Sequence, residues 1–235
     1  MNGRTKVFVS STMSFLSKLT SVYQTIRRDP SCLRQVIPAM KAKLHSQGNS
    51  LAQGTGNQPT DQECSFAAVL ETHGFVFQPK GFQQSDPGLY YLYQVNGSQQ
   101  SLDFQVYEMT GAGKGSFVNL DLKHTTTDVF YLNDGWFHKD VVYIVTWERR
   151  TSLPRTKKAT VLATFLGLGQ DIPSAEESAL MSEMIAMKNK YNAESKGVGS
   201  LCTYVRFANR YKCDRFTPEY TETCFQAVLD SVPKN

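Results

Sequence analysis

Three residues on two neighbouring β-rich segments have the types and the spacing of a metal-dependent catalytic site. Asp103 lies in the segment SLDFQVYE, and Asp121 and Lys123 lie in the segment NLDLKHTTT. The glycine-rich stretch 110–116 predicts a hairpin that places Asp103 beside the other two. Residues two apart on a strand share one face, so Asp121 and Lys123 point the same way. Two carboxylates and one ammonium suit a divalent cation, a phosphodiester and an activated water.

The residues around this triplet decide between solvated charges and a functional site. An Asp-x-Lys triplet on an exposed strand is usually a pair of solvated charges. Here the apolar residues of the two segments are Leu102, Phe104, Val106, Phe117, Val118, Leu120 and Leu122. Strands this apolar are usually central in a sheet, and charged side chains placed there need a partner or a function. The pattern favours catalysis and leaves a buried ion network as the alternative.

The arrangement Asp103…Asp121-Leu122-Lys123 resembles the signature of the PD-(D/E)xK nucleases, with Leu102 where that family usually has proline. Within the superfamily it is most similar to EcoRV-like type II restriction endonucleases. The segments 71–80 and 131–145 resemble those that precede and follow the catalytic residues in such enzymes, so the resemblance covers roughly residues 60–147.

The resemblance implies roles for individual residues. Asp103, Asp121 and the carbonyl of Leu122 would hold Mg²⁺, and Lys123 would orient or help deprotonate the attacking water. Glu63 matches a helix glutamate that supports the metal site in many family members. It also has the spacing of a capping-box residue, which explains it equally well.

The activity implied is hydrolysis of double-stranded DNA at a short specific sequence by a Mg²⁺-dependent type II deoxyribonuclease. A palindromic site would imply a homodimer, since two-fold DNA symmetry is matched by two-fold protein symmetry. Two alternatives stay open. One is a structure-selective nuclease of the repair or resolvase type, and the other is a non-catalytic basic DNA-binding module.

Side chains that could contact DNA follow the catalytic strand or lie in nearby turns. Glutamine can pair with adenine, while arginine and short polar side chains contact phosphates. The candidate DNA-binding residues are Gln83, Gln84, His124, Thr125, Asn133, Asp134, Arg149 and Arg150. As turn residues, the glutamines could equally have no binding role.

Length and charge are consistent with a basic α/β domain. The chain has 235 residues and a net charge of +4, enough length for a substantial core. Its first 60 residues carry eight Lys or Arg against one acidic residue, and two more basic clusters lie at 149–158 and 206–215. These clusters could follow a phosphate backbone or be solvated helix faces.

Cysteine usage and hydropathy indicate the compartment. The five cysteines are odd in number and have no CxxC spacing, which predicts reduced thiols rather than a zinc site or a disulfide framework. The moderately apolar segment 6–17 is too short to span a membrane and has no cleavage pattern. We expect a cytoplasmic protein without a membrane partner.

The periodicities predict an α/β (α+β) fold with a mixed central sheet flanked by helices. A restriction-endonuclease-like domain would occupy 60–235, after an N-terminal helical arm and linker at 1–59 that could clamp DNA, dimerise or cap the sheet.

The predicted helices are 11–28, 30–45, 60–74 and 174–191. The predicted strands are 75–78, 89–96, 102–109, 117–123 and 141–147, and 160–168 is a strand or short helix. In the last helix, the residues expected to face the core are Leu180, Met184, Ile185 and Met187.

Overall fold

A computed structural model describes residues 14–48, 59–79, 86–94, 102–126, 137–150, 159–194 and 217–232. Within these ranges the chain forms a six-stranded mixed sheet and five α-helices, which confirms the predicted α/β class. The strands are β1 (Val76–Phe77), β2 (Gly88–Tyr93), β3 (Phe104–Thr110), β4 (Gly113–Thr125), β5 (Val141–Arg150) and β6 (Ala159–Leu168). The helices are α1 (Phe15–Arg28), α2 (Pro38–Gly48), α3 (Asp61–Thr72), α4 (Ala175–Glu194) and α5 (Pro218–Ser231).

The order of the strands in the sheet is their order in the chain, from β1 to β6. Strands β2, β3 and β4 form an antiparallel meander, and β5 then lies parallel to β4. Strand β1 is parallel to β2, and β6 is antiparallel to β5. The two strands that carry the predicted catalytic residues therefore lie inside the sheet, as their apolar composition predicts.

The two faces of the sheet pack against different hydrophobic clusters. On one face, which we call the helix face, Phe104 and Leu122 belong to the same cluster as Leu19 of α1 and Phe66 of α3. The Phe66 and Phe104 rings meet edge to face with centroids 5.1 Å apart. On the other, which we call the far face, the cluster contains the residues Phe137, Val141, Tyr143, Val145, Trp147, Phe165, Ile172 and Cys224.

Helix α1 belongs to the main core. Its buried residues are Phe15, Leu19, Val22, Tyr23 and Ile26, spaced at three and four along one helical face. The ring of Tyr23 stacks on Phe225 of α5 with centroids 3.7 Å apart. The described N-terminal helices thus pack as a cap on the sheet, while the domain boundary after residue 59 stays a prediction.

The second N-terminal helix is shorter than predicted. Residues Pro30–Arg34 form a 3-10 turn, and α2 begins only at Pro38. A proline disfavours helical backbone at the residue before it, so Pro38 starts a new helix rather than continuing the turn. Val36, in the segment between the turn and α2, is 71% exposed.

The glycine-rich hairpin forms as predicted, with a tighter turn. Strand β3 ends at Thr110 and β4 starts at Gly113, whose positive φ of 112° suits glycine. The Thr110 hydroxyl donates to the Gly113 carbonyl at 3.0 Å. The segment 160–168, predicted as a strand or short helix, is the strand β6.

Helix α4 contradicts one expectation. Its start is as predicted, because the Ser174 hydroxyl accepts from the Glu177 backbone N–H at 3.2 Å. Its predicted inward residues are instead largely on the surface: Leu180, Ile185 and Met187 are exposed and Met184 is partly exposed. Met181 is the buried residue of this helix.

Helix α5 was not predicted. The signal for it is the pair Thr217-Pro218, an N-cap residue followed by proline at the first helical position. The Thr217 hydroxyl accepts from the Tyr220 N–H at 3.2 Å, and the helix buries Phe225 and Val228 against the sheet. No helix in the described ranges is long and apolar enough to cross a membrane.

Candidate active site

The β3–β4 hairpin brings the two predicted aspartates together. Phe104 pairs with Leu120, and Gln105 pairs with Asn119. One step further along this antiparallel register, Asp103 lies opposite Asp121. Side chains alternate between faces, and the neighbours Leu120 and Leu122 point to the helix face, so Asp121 points to the far face.

Asp103 lies just before β3, and its side chain accepts a backbone hydrogen bond of β4 in place of a backbone carbonyl. Its Oδ2 atom accepts a hydrogen bond from the Leu122 backbone N–H at 2.8 Å. Its own backbone N–H donates to the Leu120 carbonyl at 3.1 Å. The N–H and C=O groups of a strand residue point toward the same neighbour, so the Leu122 carbonyl faces the side where Asp103 lies. Asp103 is therefore in direct contact with the Leu122 backbone at the open end of the hairpin.

Asp121 and Lys123 form an ion pair within the sheet. The Lys123 Nζ atom is 2.9 Å from Asp121 Oδ2, and their side chains are 16% and 3% exposed, respectively. Burial raises the pKa of Asp121 well above its usual value; the charge of Lys123 lowers it, and the hydrogen-bonded neighbour Asp103 raises it further.

The chemistry of these donors fits a magnesium ion. Mg²⁺ prefers oxygen ligands, and two carboxylates with one backbone carbonyl are such a set. A divalent charge beside them would stabilise both carboxylates in the ionised form. In the described part of the chain, no cluster of three or more His, Cys, Asp or Glu side chains is arranged to hold a metal. A site here thus depends on the Leu122 carbonyl as well as the aspartates.

Glu63 has the predicted capping role, while its support of the metal site stays a prediction. It lies in the first turn of α3, where its carboxylate accepts from the Thr60 N–H and the Thr60 hydroxyl accepts from the Glu63 N–H. Burial raises the pKa of Glu63, and the nearby charge of Asp103 raises it further. Its carboxylate is also hydrogen-bonded to the phenol of Tyr93 on β2. A helix cap therefore lies close enough to Asp103 to affect the charge of the candidate site.

His124 and Thr125, predicted to bind DNA, lie at the end of β4. Thr125 is buried, at 7% exposure. The His124 Nε2 atom lies 2.8 Å from Glu148 Oε2 on β5, and the same carboxylate oxygen is 3.1 Å from Arg34 Nε. The contact of these two residues with DNA stays a prediction.

The remaining DNA-binding candidates lie where the structure gives no side-chain description. Arg149 and Arg150 end β5, and their side chains fall outside the described set. The other four candidates, Gln83, Gln84, Asn133 and Asp134, lie outside the described residues.

Arg34 and Glu148 form a polar site that the sequence analysis missed. Together with Gln62, His124 and Thr146 they line a cavity of about 260 Å³ on the helix face. The Gln62 amide donates to the Thr146 hydroxyl at 3.3 Å. The available signal was the acidic Glu148 directly after the apolar run VVYIVTW, which requires a partner once the strand is buried.

Ion pairing also changes the interpretation of the first basic cluster. Three of its side chains are paired within the chain: Arg27 with Glu222, Arg34 with Glu148 and Lys43 with Glu71. These three charges contribute less to a phosphate-binding surface than the sequence count indicates.

No protein-family model, curated protein or solved structure matches this chain. What the site can do is therefore inferred from its own geometry.

Proposed function

We propose that this protein is a Mg²⁺-dependent endodeoxyribonuclease that cuts double-stranded DNA at a short specific sequence. The supporting observation is that Asp103, just before β3, lies beside the buried pair of Asp121 and Lys123 on β4. Two carboxylates can hold the metal ion in metal-assisted phosphodiester hydrolysis, and a neighbouring ammonium can orient the attacking water. We further propose that the enzyme acts as a homodimer in the cytoplasm.

The proposed mechanism assigns one role to each residue. Asp103, Asp121 and the Leu122 carbonyl would hold Mg²⁺, which would supply positive charge to the phosphate and to the leaving 3′-oxygen. Lys123 would orient the attacking water through its Nζ atom and assist removal of its proton. The water oxygen forms the new bond to phosphorus as the bond to the 3′-oxygen breaks; the proton lost by the water passes to solvent, and the 3′-oxygen takes up a proton from solvent.

The test is incubation of the purified protein with unmethylated phage DNA, in Mg²⁺ and in EDTA. We expect discrete fragments in Mg²⁺ only, and sequencing their ends would give the recognition site. A Mg²⁺-dependent smear would contradict sequence specificity and favour a structure-selective nuclease. Intact DNA in both tubes would overturn the proposal.

Matched variants assign any activity to the site. Asp103→Ala and Lys123→Ala should abolish cleavage while leaving DNA binding largely intact. The controls are Asp230→Ala and Lys139→Ala, because both side chains are exposed. Cleavage by pure Lys123→Ala protein at the natural rate would remove Lys123 from the mechanism.

A second function is favoured by the burial of Asp121. A carboxylate that is 3% exposed and paired with lysine could belong to an ion network of a non-catalytic basic DNA-binding module. Mg²⁺ binding separates the two. A bound ion at roughly one hundred times its dissociation constant stabilises a fold by about 2.7 kcal/mol. If the protein is the nuclease, Mg²⁺ should raise its melting temperature, and the Asp103→Asn variant should not show this increase. If it is the non-catalytic module, Mg²⁺ should leave the melting temperature unchanged.

A further inference from the structure

Helix α4 carries a continuous apolar stripe on the surface of the molecule. The stripe consists of Leu180, Met184, Met187 and Tyr191, which we call the α4 stripe. Spacings of four, three and four place these side chains on one helical face. Leu180 is 51%, Met187 72% and Tyr191 49% exposed. A contiguous exposed apolar surface on a folded protein is typical of a docking site.

The stripe is not required to attach the helix to its own chain. Met181 supplies the buried contact, at 2% exposure. The helix begins with a capping box, in which the backbone N–H groups of Ser174 and Glu177 are each bonded to the side chain of the other. The helix start is thus stabilised without the stripe, whose exposed side chains are available to a partner.

The charges of α4 identify the partner. Its N-terminal half carries Glu176, Glu177 and Glu183, while its C-terminal half carries Lys188, Lys190 and Glu194 and has a net positive charge. A second α4 helix in the antiparallel direction would place its basic half beside this acidic half. A parallel copy would oppose like charges. We infer that two copies of this chain dimerise by packing α4 against α4 in antiparallel orientation across a two-fold axis.

The spacing of the stripe sets the register. With the axis between residues 185 and 186, Leu180 contacts Tyr191 of the partner subunit and Met184 contacts Met187 of the partner subunit. Glu183 and Lys190 are seven residues apart and lie on the same flank of the stripe. In this register Glu183 faces Lys190 of the partner subunit, and symmetry forms the pair twice. The competing pair within the chain, Lys190–Glu194, is exposed and 4.0 Å long, so it offers little resistance.

Sedimentation equilibrium of the full chain tests this inference without reference to nuclease activity. We expect a dimer that Met187→Glu weakens at least about tenfold, because a buried charge would replace a central apolar contact. Val36→Glu is the matched control, since Val36 is 71% exposed and lies outside α4. A monomeric natural chain, or a Met187→Glu variant that dimerises as well as the natural chain, would overturn the inference.

A charge exchange tests the antiparallel register. Lys190→Glu should weaken the dimer, because the new glutamate would face Glu183 of the partner subunit. Adding Glu183→Lys in the same chain should restore the affinity, with circular dichroism confirming that both variants fold. If the double variant dimerises no better than Lys190→Glu alone, the proposed register is wrong.

Discussion

At Asp121 the proposed catalytic role and folding stability make opposite demands. The carboxylate is buried, so its ionisation is opposed by lost hydration, and Lys123 offsets only part of this effect. Buried ion pairs contribute little net stability compared with apolar replacements, although loss of one partner is costly. A pair retained for stability alone would thus be a poor choice, which agrees with a role in binding a cation.

The energetics of the pair can be tested by removing one or both charges. Lys123→Met leaves Asp121 without its counter-ion and should cost about 3–5 kcal/mol of unfolding free energy at neutral pH. The double variant Asp121→Asn/Lys123→Met removes both charges and should recover most of that loss. Urea unfolding measures both values. A double variant as unstable as Lys123→Met would show that the pair contributes net stability.

The stability lost in the Lys123→Met variant should depend on pH. Burial raises the pKa of Asp121 in the folded state, so the folded protein binds more protons than the unfolded chain between the two pKa values. Stability therefore falls as pH rises through that interval, and removal of Lys123 raises the folded pKa further. The loss of unfolding free energy in Lys123→Met, relative to the natural protein, should be smallest at acidic pH and largest at neutral pH.

The N-terminus of α3 combines an observed helix cap with a proposed role at the candidate site. Its capping box was recognisable in the sequence, because threonine followed three residues later by glutamate has that spacing. The electrostatic influence of Asp103 on Glu63 joins a helix to a residue forty positions later, just before β3, which local spacing does not predict. The cap and the proposed support of the site can therefore be separated by substitution.

Glu63→Gln should retain the cap while changing the site. The amide oxygen can still accept from the Thr60 N–H, so the folding stability should stay within about 1 kcal/mol of natural. The pKa of Glu63 is raised in the folded state, so its ionisation destabilises the fold as pH rises. The variant should thus gain stability relative to the natural protein between acidic and neutral pH.

Cleavage by Glu63→Gln should nevertheless slow, since a negative charge beside Asp103 is lost. Thr60→Ala is the complementary variant: it should cost about 1 kcal/mol of stability and leave the cleavage rate unchanged. If Glu63→Gln and Thr60→Ala cleave DNA at the same rate, Glu63 has only the capping role.

The elements differ in how far the sequence could predict them. The β3–β4 hairpin and the contact of its aspartates follow from local alternation and a glycine turn, so they were predictable. The pair Arg34–Glu148 joins distant parts of the chain and has no local pattern. For α4, periodicity shows that Leu180 and Met187 share a face, but the same spacing describes a buried and an exposed face.

At the scale of the molecule, the N-terminal helices are part of the main core. Phe15, Leu19, Ile26, Leu33 and Leu44 are all buried in the cluster that contains β3 and β4. Each such side chain contributes about 1.5–3 kcal/mol on burial. Five of them match the net stability of a typical domain, about 5–15 kcal/mol.

Deletion of residues 1–59 should therefore abolish cooperative folding of the remaining chain. The measurement is urea unfolding followed by near-ultraviolet circular dichroism, in which the truncated chain should show no sigmoidal transition. Deletion of residues 1–13 is the control, because it leaves every buried residue of α1 in place. A cooperative transition in the chain that starts at residue 60 would show that the arm is dispensable for folding.

The stacking of Tyr23 on Phe225 joins helices about two hundred residues apart in the chain. Closing a loop costs entropy that grows only with the logarithm of its length, about 0.6 kcal/mol for each doubling. Because the strands pair in chain order, each pairing closes a much shorter loop and brings the two helices progressively nearer. We expect the sheet to form early in folding and the contact between α1 and α5 to form late, so that substitutions at Tyr23 accelerate unfolding more than they slow folding.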